Sequence, residues 1–241
     1  MTEAATKTGA LVLHGFTASP AGMVPLAEAI SAAGFEVEMP LLPGHGTSWK
    51  DLASTKAESI LKAVEAAHHR LAQRCEVVLP VGLSMGGALA LHSTATHHSP
   101  GVVVINPGLR LRAGTGPAAR VLSLVKPTVA SIAGDIAKPG VTEEAYPVTP
   151  VRAVAELDRI FRVARTALPA LAQQGTQVLL LRSPLDKVVG PSSAALLKRE
   201  LPGQVQEVIL RRSRHVAPLD YDAALLQRRT IEFLQQQTPT G

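Results

Sequence analysis

Several things that other protein classes need are scarce or missing in this chain. It has 241 residues and one cysteine, Cys75, so no disulfide can form within it. Aromatic residues make up only 3%. The core must therefore come from Ala, Val and Leu, and the stacking platforms of single-strand nucleic-acid binders are missing. No run of about 18 apolar residues occurs, which argues against a membrane-spanning helix. The longest apolar tract, Val77 to Leu91, is broken by Pro80, Gly82, Ser84, Gly86 and Gly87. Met1 to Thr8 is a polar arm without the pattern of a secretory signal, so a soluble, cytoplasmic protein is expected. No His/Cys/Asp cluster has ligand spacing, so no metal is expected, and no cofactor. The glycines from Gly82 to Gly87 lack the Lys-Ser/Thr ending of a phosphate cradle. No repeat or low-complexity segment stands out.

What is present suits one large folded unit. Hydrophobic residues make up 46% and charged residues 18%, which excludes disorder. The net charge of +5 and the pI of about 9.7 raise the question of an anionic partner. The basic residues are scattered, however. Their densest cluster, Arg211, Arg212 and Arg214, reads as the solvated end of a strand, so no nucleic-acid partner is expected.

Short β-rich runs alternate with helical patterns. The runs are Ala10–Phe16, Phe35–Pro40, Glu76–Gly82, Val102–Asn106, Gln177–Arg182 and Val205–Arg211. Most are continuously apolar, as expected for a mainly parallel sheet covered on both faces. Helices are expected from Ser19-Pro20 to Ala33, from Lys50 to Gln73, from the turn at Ser84 to His97, and over Pro150–Gln173, Pro191–Glu200 and Pro218–Gln236. The segment Leu109–Thr149 shows no clear strand and is punctuated by glycine and proline. It reads as a small helical cap inserted after the fourth strand. The expected division is a core of residues 9–108 and 166–236 with a cap of residues 109–165. Ligands bind at the carboxyl ends of strands in open parallel sheets, so an insertion there can roof a site.

The most informative motif is Gly82-Leu83-Ser84-Met85-Gly86. An apolar strand pattern precedes it and a small-residue helical pattern follows. This is the context of a G-x-S-x-G nucleophile elbow, where a strained turn lifts the serine hydroxyl clear of the sheet. A serine needs a base, and the base needs an orienting acid. Of the eight histidines, His68, His69, His92, His97 and His98 read as surface or dipole-capping residues of helices. His14 and His45 lie in glycine turns. His215 follows the last strand and can reach the rim that holds Ser84. Asp186 follows the preceding strand, giving the order Ser84, Asp186, His215 that goes with this elbow. Asp220, Asp222, Asp135 and Asp158 are its rivals. The Met85 and Phe16 N–H groups are the expected oxyanion donors, with Gly15 letting the His14-Gly15-Phe16 turn fold towards Ser84. Val121, Leu124, Val125, Val129 and Ile132 are candidates to line an acyl pocket, or else to cap the domain's own core.

At Leu11-Val12-Leu13-His14-Gly15-Phe16-Thr17, Pro43-Gly44-His45-Gly46, Gly82-Leu83-Ser84-Met85-Gly86-Gly87, Asp186-Lys187-Val188-Val189 and Ser213-Arg214-His215-Val216, the chain resembles the small bacterial carboxylesterases and monoacylglycerol lipases of the α/β-hydrolase superfamily. The resemblance runs from about Gly9 to Gln236. It implies a mostly parallel sheet with a small helical cap. It also implies hydrolysis of short- to medium-chain acyl esters and monoacylglycerols by Ser84, Asp186 and His215. Gly15, Leu124 and Val125 are the expected substrate contacts. Many relatives have glycine where this chain has Ser183. The expected partner is a small acyl ester or lipid. Transient contact of the cap with a membrane surface and the oligomeric state are left open. Two other readings also stay open: acyl transfer to an alcohol acceptor, and non-catalytic ligand binding on the same fold.

Overall fold

The computed structural model describes residues 7–111 and 126–239. Six strands lie side by side: β1 (Thr8–Leu13), β2 (Glu36–Glu38), β3 (Val77–Leu83), β4 (Gly101–Ile105), β7 (Gln177–Arg182) and β8 (Val205–Ile209). Their spatial order is β2-β1-β3-β4-β7-β8, and every neighbouring pair is parallel. Successive strand residues feed opposite cores. Leu11, Val102, Val104, Val178 and Leu180 face one side. Ala10, Val12, Val103, Ile105, Leu179 and Leu181 face the other. Both sides are covered, which is why these strands read as unbroken apolar runs.

One face is covered by α3 (Ala57–Ala72), α4 (Met85–His97), α5 (Val151–Gln174) and α6 (Ser192–Glu200). On the other lie α1 (Val24–Ala32) and α7 (Ala223–Gln237). α4 is buried along most of its length, as its run of Gly, Ala and Leu requires.

Three expectations need correction. The helix expected from Lys50 to Gln73 is two helices, α2 (Trp49–Ser54) and α3. The Ser54 and Thr55 hydroxyls both donate to the Asp51 carbonyl, and Thr55 and Lys56 are extended. Side-chain hydroxyls here compete with the helix's own backbone bonds. The segment Leu109–Thr149 does contain strand: β5 (Thr128–Ala130) pairs antiparallel with β6 (Val148–Pro150). Three residues are too few for a periodicity to show. The described residues of Leu109–Thr149 hold β5 and most of β6 and no helix, while the amphipathic stretch 118–125 lies outside the described residues.

His68 is also not at the surface. It is 5% exposed and stacks on His97, with ring centroids 3.6 Å apart. Glu65 accepts from His69 Nε2 and His97 Nε2, each at 2.8 Å. Burial first, and then the charge of His97, push the His68 imidazole down to about 4. His68 is thus kept neutral when folded but is free to protonate near its ordinary 6.5 when unfolded. Stability carried by this group is complete above pH 6.5 and is lost as the pH falls towards 4. The midpoint of thermal unfolding should drop by several degrees across this window. The drop should be shallower in His68→Gln; an equally steep one would assign the acid sensitivity to other groups.

Candidate active site

Ser84 sits between β3 and α4 with φ 55° and ψ −112°. A non-glycine residue held in such a conformation costs about 1–3 kcal/mol, and the surroundings must impose it. Ser84 N–H donates to the Ile105 carbonyl at 2.9 Å, and the Ser84 carbonyl accepts from Gly108 N–H at 3.1 Å. The flanking glycines are obligatory. A β-carbon on Gly82 would stand 2.1 Å from the Gly86 carbonyl oxygen, and one on Gly86 would stand 2.1 Å from the Leu13 carbonyl oxygen. Gly15 is different. A β-carbon there would meet Ser84 Cβ at 3.8 Å, an ordinary contact, and its φ is not in the left-handed region. The fold of that turn towards Ser84 does not require a glycine at position 15.

Asp186 and His215 are brought together at the carboxyl ends of β7 and β8. His215 Nδ1 lies 2.8 Å from Asp186 Oδ2, with both side chains nearly buried. A carboxylate accepts, so Nδ1 carries the proton and Nε2 is free to act as a base. The other carboxylate oxygen, Asp186 Oδ1, accepts from Val188 and Val189 N–H at 2.7 and 2.9 Å. The rival acids are occupied elsewhere. Asp220 accepts from the N–H groups of Ala137, Lys138, Arg214 and Tyr221. Burial opposes its charge, but these donors outweigh burial and hold the carboxyl below its usual range. Asp222 binds Arg212 N–H and the Ser213 hydroxyl, and Asp158 pairs with Arg162. Asp135 binds backbone N–H groups of Lys187 and His215.

The candidate oxyanion donors flank Ser84. Met85 is the first residue of α4, so its N–H has no acceptor within the helix. Phe16 N–H shares a planar peptide with the Gly15 carbonyl, and that carbonyl accepts from His14 Nδ1 at 2.9 Å. Leu42 N–H donates to His14 Nε2 at 3.2 Å, which fixes the tautomer. Burial, then the neighbouring His45, pushes the His14 imidazole down to about 3, so it stays neutral. Thr17 has φ 63°, and its hydroxyl donates to the Phe16 carbonyl. Residues 144–146 pin this turn from outside. Tyr146 N–H donates to Thr17 O, and Ser19 N–H to Glu144 O, around an antiparallel bridge of Ala18 with Ala145. The Tyr146 hydroxyl donates to Gly44 O at 2.7 Å.

A cavity of about 610 Å³ opens beside Ser84, lined by Phe16, Val129, Ile132, Val154, Leu157 and Phe161 among others. Val129 and Ile132 therefore reach the cavity. Val121, Leu124 and Val125 lie outside the described residues. A smaller pocket joins Ser84 and His215 with Gly15, Phe16 and Glu143.

Two polar residues here carried no role in the sequence reading. Asn106, with φ 42°, follows β4. Its amide donates to Ser183 Oγ and to the Arg214 and His215 carbonyls, while its oxygen accepts from Ser183 N–H. The sequence signal was an Asn followed by Pro-Gly at the carboxyl end of a central strand. Ser183 is buried and both its polar groups are used, which accounts for serine at that position. Glu143 accepts from Gly134 N–H, and burial pushes its carboxyl up despite that bond and the facing His215. No local pattern marked it.

A six-stranded parallel sheet, a serine strained at the carboxyl end of a central strand and a His–Asp pair on the loops after the last two strands of that sheet place this protein among the α/β hydrolases. The chain belongs to the alpha/beta hydrolase family, whose profile matches residues 10–228. It is 36% identical over 234 residues to the thermostable monoacylglycerol lipase of Bacillus sp. (strain H-257), covering 93% of this chain and 89% of that protein. A solved structure reported with LipS and LipT, two metagenome-derived lipolytic enzymes, superposes with a TM-score of 0.90 at 35% identity, over 96% of this chain and 95% of the other. The monoacylglycerol lipase of Paleococcus ferrophilus shares the fold, with a TM-score of 0.74 at 19% identity over 97% of this chain and 98% of its own. The chain is a hydrolase of the lipase and esterase kind.

The two glycine environments predict opposite outcomes. Gly86→Ala should cost more than about 3 kcal/mol or prevent folding, whereas Gly15→Ala should stay within about 1 kcal/mol of the parent. Urea unfolding of both variants checks this.

Proposed function

We propose that this protein hydrolyses carboxylic esters of short- to medium-chain acyl groups, monoacylglycerols among them, through an acyl-enzyme on Ser84. The observation that carries the reading is the strained Ser84 sharing one pocket with His215, whose Nδ1 is held by Asp186. His215 Nε2 takes the hydroxyl proton as Ser84 attacks the ester carbonyl. The Met85 and Phe16 N–H groups hold the oxyanion, and His215 then protonates the leaving alcohol. Water repeats the sequence on the acyl-enzyme and releases the acid. Asp186 fixes the imidazole tautomer and stabilises the imidazolium.

The apolar cavity takes the acyl chain. Its volume and its Val, Leu, Ile and Phe lining suit a flexible hydrocarbon. The insertion, residues 109–165 in this reading, roofs the cavity, with residues 9–108 and 166–236 as the core. Ile132, exposed on the cavity lining, and Leu185, exposed in the acid loop, are the side chains through which this region would touch a lipid surface. Glu143 stands beside Ser84 and His215 with its carboxyl pushed towards the neutral form. There it can exchange hydrogen bonds with the free hydroxyls of a glyceryl leaving group.

A panel of nitrophenyl esters of increasing acyl length tests the reaction, with Ser84→Ala as the control. The variant should lose at least about 10³-fold in kcat/KM, and a fluorophosphonate should label position 84 alone. Wild-type rates in Ser84→Ala would reject the reading. Glu143→Gln should raise KM for a monoacylglycerol several-fold while leaving the nitrophenyl ester of the same acyl chain unchanged. Equal effects on both would remove Glu143 from the alcohol side.

A further inference from the structure

The loops that carry Asp186 and His215 leave different strands, β7 and β8, and nothing covalent keeps them in step. Two groups bridge them. From the sheet side, Asn106 holds Ser183 of one loop and the Arg214 and His215 carbonyls of the other. From the opposite side comes a carboxylate of the insertion. Asp135 Oδ2 accepts from Lys187 N–H at 2.9 Å and from His215 N–H at 3.3 Å. The Asp135 carbonyl accepts from Val216 N–H at 3.2 Å, and its Oδ1 lies 3.9 Å from Arg214 Nε. Its side chain is only 10% exposed.

The arrangement divides the donors of the acid loop cleanly. Lys187 N–H goes to Asp135, while the next two, Val188 and Val189, go to Asp186. The peptide units on either side of His215 are gripped at both ends, the N–H by Asp135 and the carbonyl by Asn106. A second contact runs the other way. Asp220, just beyond the base loop, accepts from Ala137 and Lys138 of the insertion and from Arg214 of the base loop. The insertion and the two loops are therefore clasped by two aspartates reaching in opposite directions.

We propose that Asp135 is a positioning residue for the hydrolytic reaction, a carboxylate carried by the insertion that fixes the acid-bearing loop against the base-bearing loop. The inference rests on the roles given above to Ser84, Asp186 and His215. N–H donation to a carboxylate is charge-assisted and directional, so it sets loop positions more tightly than neutral bonds do. Without the carboxylate, the part-buried His215 N–H and the more exposed Lys187 N–H both lose their acceptor, and the loops relax as these groups turn to other partners. The His215–Asp186 unit then shifts relative to Ser84, and catalysis is steeply sensitive to such shifts. Asp135 stands at the edge of the cavity, but its Oδ2 is spent on two backbone N–H groups, and a short acyl chain is held by the apolar lining, so on a short-chain ester its removal should strike turnover more than substrate affinity.

The full chain with Asp135→Ala or Asp135→Asn tests this on a short-chain nitrophenyl ester, with fluorophosphonate labelling rates and thermal unfolding read alongside. Asp135→Ala should lower kcat and the labelling rate by about ten- to a hundredfold, with KM within about twofold. Asp135→Asn keeps one oxygen able to accept both N–H groups, so it should recover kcat to within about threefold of the parent. A folded Asp135→Ala protein with the parent kcat overturns the inference. So does an Asp135→Asn protein as slow as Asp135→Ala. Should Asp135→Ala not fold, Asp135→Glu takes its place, because the added methylene displaces the acceptor. It should show the same loss of kcat at steady KM, and parent kcat there overturns the inference too. Ser84→Ala and His215→Ala separate the two levels. If these stay active, the site reading itself falls. If they are dead and the Asp135 variants are normal, only the role of Asp135 falls.

Discussion

Backbone rests directly on backbone where the third strand hands over to the fourth helix. The Gly86 main chain lies against the Leu13 and His14 carbonyls, and Gly82 lies against Gly86 itself. Because two side chains are absent, α4 can start one residue after Ser84 while β1 stays paired with β3. That proximity forces the Ser84 backbone out of the ordinary regions, and the bonds to Ile105 and Gly108 hold it there. A strain of about 1–3 kcal/mol is small beside the burial of an entire helix, so packing decides the outcome.

Around this rigid point the rest of the site is positioned by polar contacts to the backbone. Asn106, Asp135, Asp186 and Asp220 together orient the loops beyond β7 and β8. His14 orients the peptide that presents the Phe16 N–H. Each such bond contributes about 1 kcal/mol net, but an unpaired buried partner costs about 1–3 kcal/mol, so alternative loop positions are disfavoured more than this one is favoured. The segment that follows β4 takes part at two separate places, the turn at Phe16–Ala18 and the loops that carry Asp186 and His215. It is a brace, whatever it also covers.

The parallel sheet was legible because the middles of strands covered on both faces must be apolar, and those of β1, β3, β4 and β7 all are. The elbow was legible because its steric demand is met by glycines at fixed short spacing. Asp186 and His215 were legible as loop residues after successive strands, and the structure brings them into contact. What escaped acts across the chain. Asn106, Asp135, Glu143 and His14 each work through a partner remote in sequence or through the orientation of a peptide plane, and neither leaves a local pattern. The break at Thr55 turned on hydroxyls competing for one carbonyl. His68 had a readable signal that was passed over: with Ile60, Val64, Ala67 and Leu71 it falls on the buried stripe of α3.

The positions of the parts along the chain also bear on when the molecule becomes active during synthesis. Ser84 is strained into place by β1 and α4, early in the sequence, but Asp186 and His215, the proposed acid and base, follow β7 and β8 near the carboxyl end. A nascent chain that ends before β7 has the strands and helix that shape Ser84 but neither member of the His215–Asp186 pair. On the proposed roles, turnover would begin only once the final strand has docked at the sheet edge, and the appearance of activity during refolding would report completion of the whole domain.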